Sequence, residues 1–185
     1  LGMPNDFLAD TCDNLPLVLT DILPEIEENL VEQLKALYPR ISSVHTKTSG
    51  DRLQLYFKEG KRLIPATRLS DGTLRYLCLL TVLLHPTPPP LICIDEPELG
   101  LHPDVIPSLA ELLIESSSRM QIIATTHSDL LVDALHEQPE SVVTVEAAPQ
   151  GTQIKRLDAQ ELAVWLDKYS LGELWTRGEI GGTRW

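Results

Sequence analysis

Two short runs, LICI at 91–94 and QIIATT at 121–126, carry apolar residues at consecutive positions, and a helical pattern follows each. A strand that is apolar on both faces has no side to offer water. It belongs in a sheet covered by helices, and the strand, loop, helix order makes that sheet mostly parallel. The expected succession is LICI, a helix over 103–116, QIIATT, a helix over 128–136 and a further strand in SVVTVE (141–146). The fold class read from this is α/β. In such sheets ligands gather at the carboxyl ends of strands, where Asp95, Glu96, Thr125, Thr126 and His127 all fall.

The remaining elements come from periodicity and punctuation. Residues 21–38 place Ile22, Ile26, Leu30, Leu34 and Leu37 at helical spacing, with Pro24 near the start and Pro39 closing the helix. RLQLYF (52–57) alternates as a strand does, and KEGK turns it into a second short strand around Leu63 and Ile64. Residues 73–85 form a helix so apolar that it must be buried on most faces. Near the end, 141–158 reads as two strands around a Pro-Gln-Gly turn. A helix over 158–169 follows, with Asp158 as N-cap and Glu161 completing a capping box. Trp165 and Trp175 read as packing anchors, and Glu146 as an exposed strand residue or an added acid near the site. Cys12, Cys78 and Cys93 are odd in number and widely spaced, so they are expected reduced and structural, Cys93 as strand core.

Charge narrows the function classes. The chain carries −12 overall, but residues 41–90 hold seven bases against three acids. The acidic total argues against wholesale binding to a phosphate backbone, so nucleic acid is possible as a partner but not indicated. Lys58, Lys61, Arg62, Arg68 and Arg75 form either one local anion-facing patch or a solvated charged face. There is no run of eighteen apolar residues and no basic start of a signal peptide, which makes a cytoplasmic protein the expectation.

Asp95 and Glu96 require a reason. The next helix starts after Pro103, too late for them to cap it. Adjacent acids on a buried edge repel each other and lose hydration, which is tolerated where a cation or a reaction uses them. One carboxylate can hold Mg²⁺ through its water shell, and the next can take a proton from an attacking water. Ser70 and Gly72, opening the long helix, present a hydroxyl and free backbone N–H groups. These either cap the helix or face an anion. Alone, His127 reads more readily as a helix cap or a satisfied polar group than as a ligand contact.

Three stretches together resemble a known family. LICIDEPELGLHP is similar to the Walker B strand and D-loop of ABC/SMC-type ATPases, in the form found in predicted ATPases related to the OLD family. RLSDGTLRYLCLL (68–80) resembles the signature motif and its helix, and QIIATTHSDLLVDAL (121–135) the strand and loop carrying the switch histidine. The resemblance covers residues 50–136 firmly. It implies the C-terminal lobe of a P-loop NTPase that uses ATP and Mg²⁺. Asp95 would hold the metal, Glu96 would orient or deprotonate the hydrolytic water, and His127 would touch the γ-phosphate. Ser70 and Gly72 would meet the nucleotide of a second subunit in a homodimeric sandwich. Asp71 stands where many transporters of this kind have glycine, which points away from transport.

One motif is missing. No G-x-x-x-x-G-K-[ST] occurs, and the Gly60-Lys61 pair lies in a hairpin. The expectation is therefore a composite-site ATPase whose N-terminal lobe, with its phosphate loop, is absent from this chain. Its parts are a helical lead-in over 1–50, the ATPase lobe over 51–147 and a strand and helical tail of the same domain over 148–185. Two other readings stand beside it: an ATP-independent protein-interaction module that retains the fold, and the ATPase subunit of a nucleic-acid repair or anti-phage defence system.

Overall fold

The computed structural model describes residues 6–50 and 52–182. Its first helix, α1 (Leu15–Leu34), starts six residues before the expected position and runs through Pro24. The reason is burial. Leu15, Val18 and Leu19 extend the stripe of Ile22, Ile26, Leu30 and Leu34 backwards, and that continuous apolar face outweighs the hydrogen bond Pro24 cannot make. Asn14, fully buried, ties the preceding chain down by accepting from Ala9 N and donating to the Phe7 carbonyl.

β1 (Ile41–Ser49), β2 (Arg52–Glu59) and β3 (Arg62–Pro65) form an antiparallel sheet in sequence order. The β2–β3 hairpin is as expected. β1 lies in the segment expected to be a helical lead-in, and corrects it. Val44 is buried in register with buried Phe57, and Leu55 completes the inner face. Lys58, Lys61, Arg62 and Arg68 are exposed on and after this hairpin.

α2 (Asp71–Leu83) is buried nearly all round from Tyr76 onward, as its sequence demands. Tyr76 reaches Gln33 of α1 through its hydroxyl, and burial pushes its phenol up to about 12. Arg119 donates to the Leu83 and His85 carbonyls at the far end, where α2 has no basic residue of its own in its last turn. This places a cation against the negative end of the helix dipole. α2 is thereby pinned at its C-terminus with its N-terminus toward the site.

β4 (Leu91–Asp95) and β5 (Gln121–Thr125) pair in parallel, connected by a 3₁₀ turn at Pro103–Val105 and α3 (Ile106–Ser117). α4 (Asp129–Asp133) follows β5 directly. Parallel pairing is confined to these two strands among the described residues, since β6 (Val143–Ala148) and β7 (Gly151–Arg156) make a separate antiparallel hairpin. The α/β class stands, but the expected mostly parallel sheet does not.

Ile92, Ile94 and Ile122 pack on the main core, whereas Leu91, Cys93 and Ile123 turn to solvent on the other face. Cys93 is thus exposed and not strand core. The three cysteines are free. Burial, with a hydrogen bond to Cys12, pushes the Cys78 thiol up to about 12, so almost no thiolate forms there at pH 8. A disulfide reagent at pH 8 is expected to label Cys93 at once and Cys78 only on unfolding. Equal labelling rates in the folded chain would contradict this packing.

The tail closes with α5 (Ala159–Leu166) and α6 (Leu171–Thr176). Asp158 caps α5, accepting from Gln160 N and Glu161 N, but Glu161 pairs with Lys155, and the reciprocal capping box belongs to Ser170 and Glu173 of α6. Leu171 and Leu174 are buried with Val132 of α4 in a small second core. Gly172 approaches α4 closely enough that a Cβ would lie 2.6 Å from the Asp129 carbonyl oxygen. Trp175 is an anchor, donating to the Gly182 carbonyl, whereas Trp165 is half exposed beside Tyr169. Glu146 accepts from Gly182 N, a structural contact at the end of the tail.

Candidate functional site

The parallel register sets Asp95 beside Thr125, so the loops leaving both strands start at one level. The Thr125 hydroxyl donates to Asp95 Oδ1 at 2.5 Å, orienting the carboxylate at the strand end. Glu96 then takes a left-handed conformation at φ 45°, unusual for a residue with a side chain. Its N–H donates to the Thr125 carbonyl at 3.2 Å and the Thr125 hydroxyl oxygen at 3.1 Å, and its own carbonyl accepts from Arg75 of α2 at 3.1 Å. Such a conformation persists where the surroundings over-determine it, a condition found at functional sites. It aims the Glu96 carboxylate at His127, whose Nε2 lies 3.7 Å from Oε1. The His127 side chain is 75% exposed, open to a ligand above the strand ends.

The structure thus brings Asp95, Glu96 and His127 together. Ser70 and Gly72 sit on an adjoining edge. Ser70 caps α2, accepting from Thr73 N at 3.2 Å, with the Thr73 hydroxyl at 2.8 Å. Capping is therefore realised, and the exposed hydroxyl at a thirteen-residue helix start remains compatible with facing an anion. Gly72 has a packing reason of its own: a Cβ there would lie 2.6 Å from the Gly100 carbonyl oxygen. The start of α2 and the loop after β4 are in backbone contact, and only glycine permits it. Gly72→Ala is expected to lower stability by about 1–3 kcal/mol, as overpacking does. Urea unfolding checks this, and an unchanged midpoint would show that the loop yields freely.

Two residues that motif reading left without a role belong to the cluster. Arg75 of the basic group is committed to the Glu96 carbonyl. Glu98 accepts from the Thr126 hydroxyl at 2.5 Å and from His127 N at 3.2 Å. Glu98 stood inside DEPE, but its partners come from a loop some thirty positions later.

The donor set suits Mg²⁺. Asp95 offers a hard carboxylate oxygen oriented by Thr125, and no group of three or more candidate ligands forms among the described residues. Mg²⁺ needs no more, because it keeps several waters and takes other ligands from phosphate.

Two parallel strands that carry adjacent carboxylates and a histidine on neighbouring strand-end loops give an α/β fold with its candidate site at the strand ends. Residues 17–133 match a family model described as "AAA domain, putative AbiEii toxin, Type IV TA system". The chain belongs to this family of AAA ATPases.

Solved structures agree on the fold. An SMC ATPase studied for ATP-driven dimerization and DNA-stimulated activation superposes with a TM-score of 0.56 at 19% identity, over 84% of this chain and 99% of that one. An Smc head bound to the C-terminal winged-helix domain of ScpA gives 0.61 at 20%, over 86% of this chain and 50% of that one. The Smc head of Pyrococcus furiosus with an extended coiled coil, bound to the C-terminal domain of ScpA, gives 0.60 at 20%, over 86% and 41%. The chain therefore spans half or less of those last two proteins. Among the described residues no helix is long and apolar enough to cross a membrane.

Proposed function

We propose that this chain supplies the hydrolytic half of a composite ATP site, in which water attacks the γ-phosphate of ATP. The observation that carries the reading is Glu96, held at φ 45° with its carboxylate 3.7 Å from His127 and next to the Thr125-oriented Asp95. Asp95 would hold Mg²⁺, which supplies charge neutralisation to the phosphates when bound. Glu96 would orient the attacking water and take its proton, and His127 would donate to the γ-phosphate. Ser70 and the backbone at Gly72 would face the nucleotide of a second copy, giving a homodimer closed by two shared sites.

Phosphate binding would come from a complementary lobe that carries the glycine-rich loop and lysine, since no such motif occurs in this sequence. The open face of β4 and β5 supports a covering lobe. Leu91 is 46% and Ile123 51% exposed there, beside Cys93, on strands whose composition calls for burial on both sides. An inert interaction module would not need the oriented carboxylate pair and histidine, which favours the hydrolytic reading over it.

The isolated chain is expected to turn over ATP no faster than buffer, because a carboxylate and metal site without a phosphate cradle cannot position the nucleotide. Adding a lobe with a phosphate loop should restore turnover. Robust hydrolysis by the pure chain, abolished by Glu96→Gln, would overturn this division of labour.

A further inference from the structure

The acids of DEPE and the residues of TTH interlock in pairs. Asp95 takes the Thr125 hydroxyl, Glu96 lies beside the His127 ring, and Glu98 reaches back past the buried Pro97. A turn closed by Leu99 N on the Glu96 carbonyl folds Glu98 toward the second loop. There a single oxygen, Oε1, accepts both the Thr126 hydroxyl and the His127 N–H. The Thr126 hydroxyl oxygen accepts in turn from Ser128 N at 3.0 Å, and Ser128 caps α4. One carboxylate therefore governs three consecutive residues between the end of β5 and the start of α4.

We propose that Glu98 is the positioning residue of this site: it fixes the backbone of His127, and through it the distance between the His127 ring and Glu96. The chemistry fits that task better than a purely stabilising one. Charge-assisted bonds to two donors on one oxygen hold a loop more firmly than neutral ones. The other oxygen, Oε2, is buried without a hydrogen-bond partner among the described residues, so the carboxylate holds the loop through Oε1. Among the described residues, backbone bonding between the two loops reaches only Glu96 N on the Thr125 carbonyl, one position short of the residues that Glu98 holds. Without Glu98 the His127 loop would keep its strand and its helix but lose the two bonds that Oε1 accepts.

The consequence for turnover rests on the ATPase reading above, and the position of the loop does not, so two measurements are needed. In this chain alone, amide hydrogen exchange at His127 should quicken at least about tenfold in Glu98→Ala. It should return toward wild type in Glu98→Gln, whose amide oxygen accepts the same two donors, while Ile123 within the β4–β5 ladder stays unchanged. Equal exchange at His127 in all three proteins would overturn the proposal.

In the assembly completed with a phosphate-loop lobe, Glu98→Ala should lower kcat about tenfold with KM within about twofold, the pattern of an interaction used beyond ground-state binding. On a His127→Ala background the same change should cost almost nothing further, because Glu98 acts through His127. Full additivity of the two losses would overturn it. A wild-type assembly that neither binds nor hydrolyses ATP would sink the ATPase reading instead, and the exchange measurement would still decide the role of Glu98.

Discussion

Replacing Glu96 by Gln in the completed assembly is expected to lower ATP turnover by about 10²–10⁴-fold, the span associated with a general base, while ATP binding and dimer formation persist. The amide matches the carboxylate in size and keeps an acceptor toward His127, but it cannot take a proton. The backbone at Glu96 is held independently of the side chain, by Thr125 on its N–H and Arg75 on its carbonyl, so the φ of 45° should survive the change. Sedimentation with ATP and Mg²⁺ is the check, with bound nucleotide quantified after gel filtration. Stable dimers loaded with unhydrolysed ATP are the expected species. Wild-type turnover in the variant would remove Glu96 from the chemistry and leave its strained backbone without the purpose argued for it.

Asp95 and Glu96 were legible because the cost of placing charge at the end of apolar strands is visible in a string of letters, whereas His127 stood out only through the resemblance of its stretch to a switch-histidine loop. Their convergence follows from parallel pairing, which the strand, loop, helix order already implies. Glu98 was hidden for the opposite reason: its partners, Thr126 and His127, lie across a parallel pairing whose register is set only by folding. The same limit explains β1. ISSVHTKTS has little apolar content, and Val44 becomes a core residue only once Phe57 is opposite. Pro24 misled because a local rule ends helices near proline, whereas the buried stripe of α1 is a tertiary effect. At the tail, DAQE and SLGE both fit the capping-box pattern. What separates them is Lys155, which draws Glu161 away, while Glu173 returns to the Ser170 N–H. Cys93 was misplaced because the rule for parallel strands assumes cover on both faces, and here one face is open.

That open face and the exposed Ser70 bear on whether the site is shared between subunits, and a mixing experiment with Ser70→Arg decides it. If Ser70 is only the cap of α2, losing its bond to Thr73 N should cost about 0.5–2 kcal/mol and leave ATP-driven dimerisation intact. If it faces the nucleotide of the other subunit, arginine there should block closure and abolish turnover in the assembly completed with a phosphate-loop lobe, although each completed subunit still binds ATP at the loop of its added lobe. Gly72 sharpens the distinction, because its backbone contact with Gly100 ties the start of α2 to the loop after Glu96, so a disturbed cap would also register in the D-loop. Ser70→Arg subunits are then combined with subunits whose phosphate loop is inactivated. In a mixed dimer, one site pairs an intact loop with an intact Ser70 and the other pairs two defective halves. Turnover should therefore reappear at up to about half the wild-type rate per mixed dimer, if the two sites act independently. No recovery at any ratio, with mixed dimers shown to form and melting like wild type, would mean that Ser70 acts within its own chain.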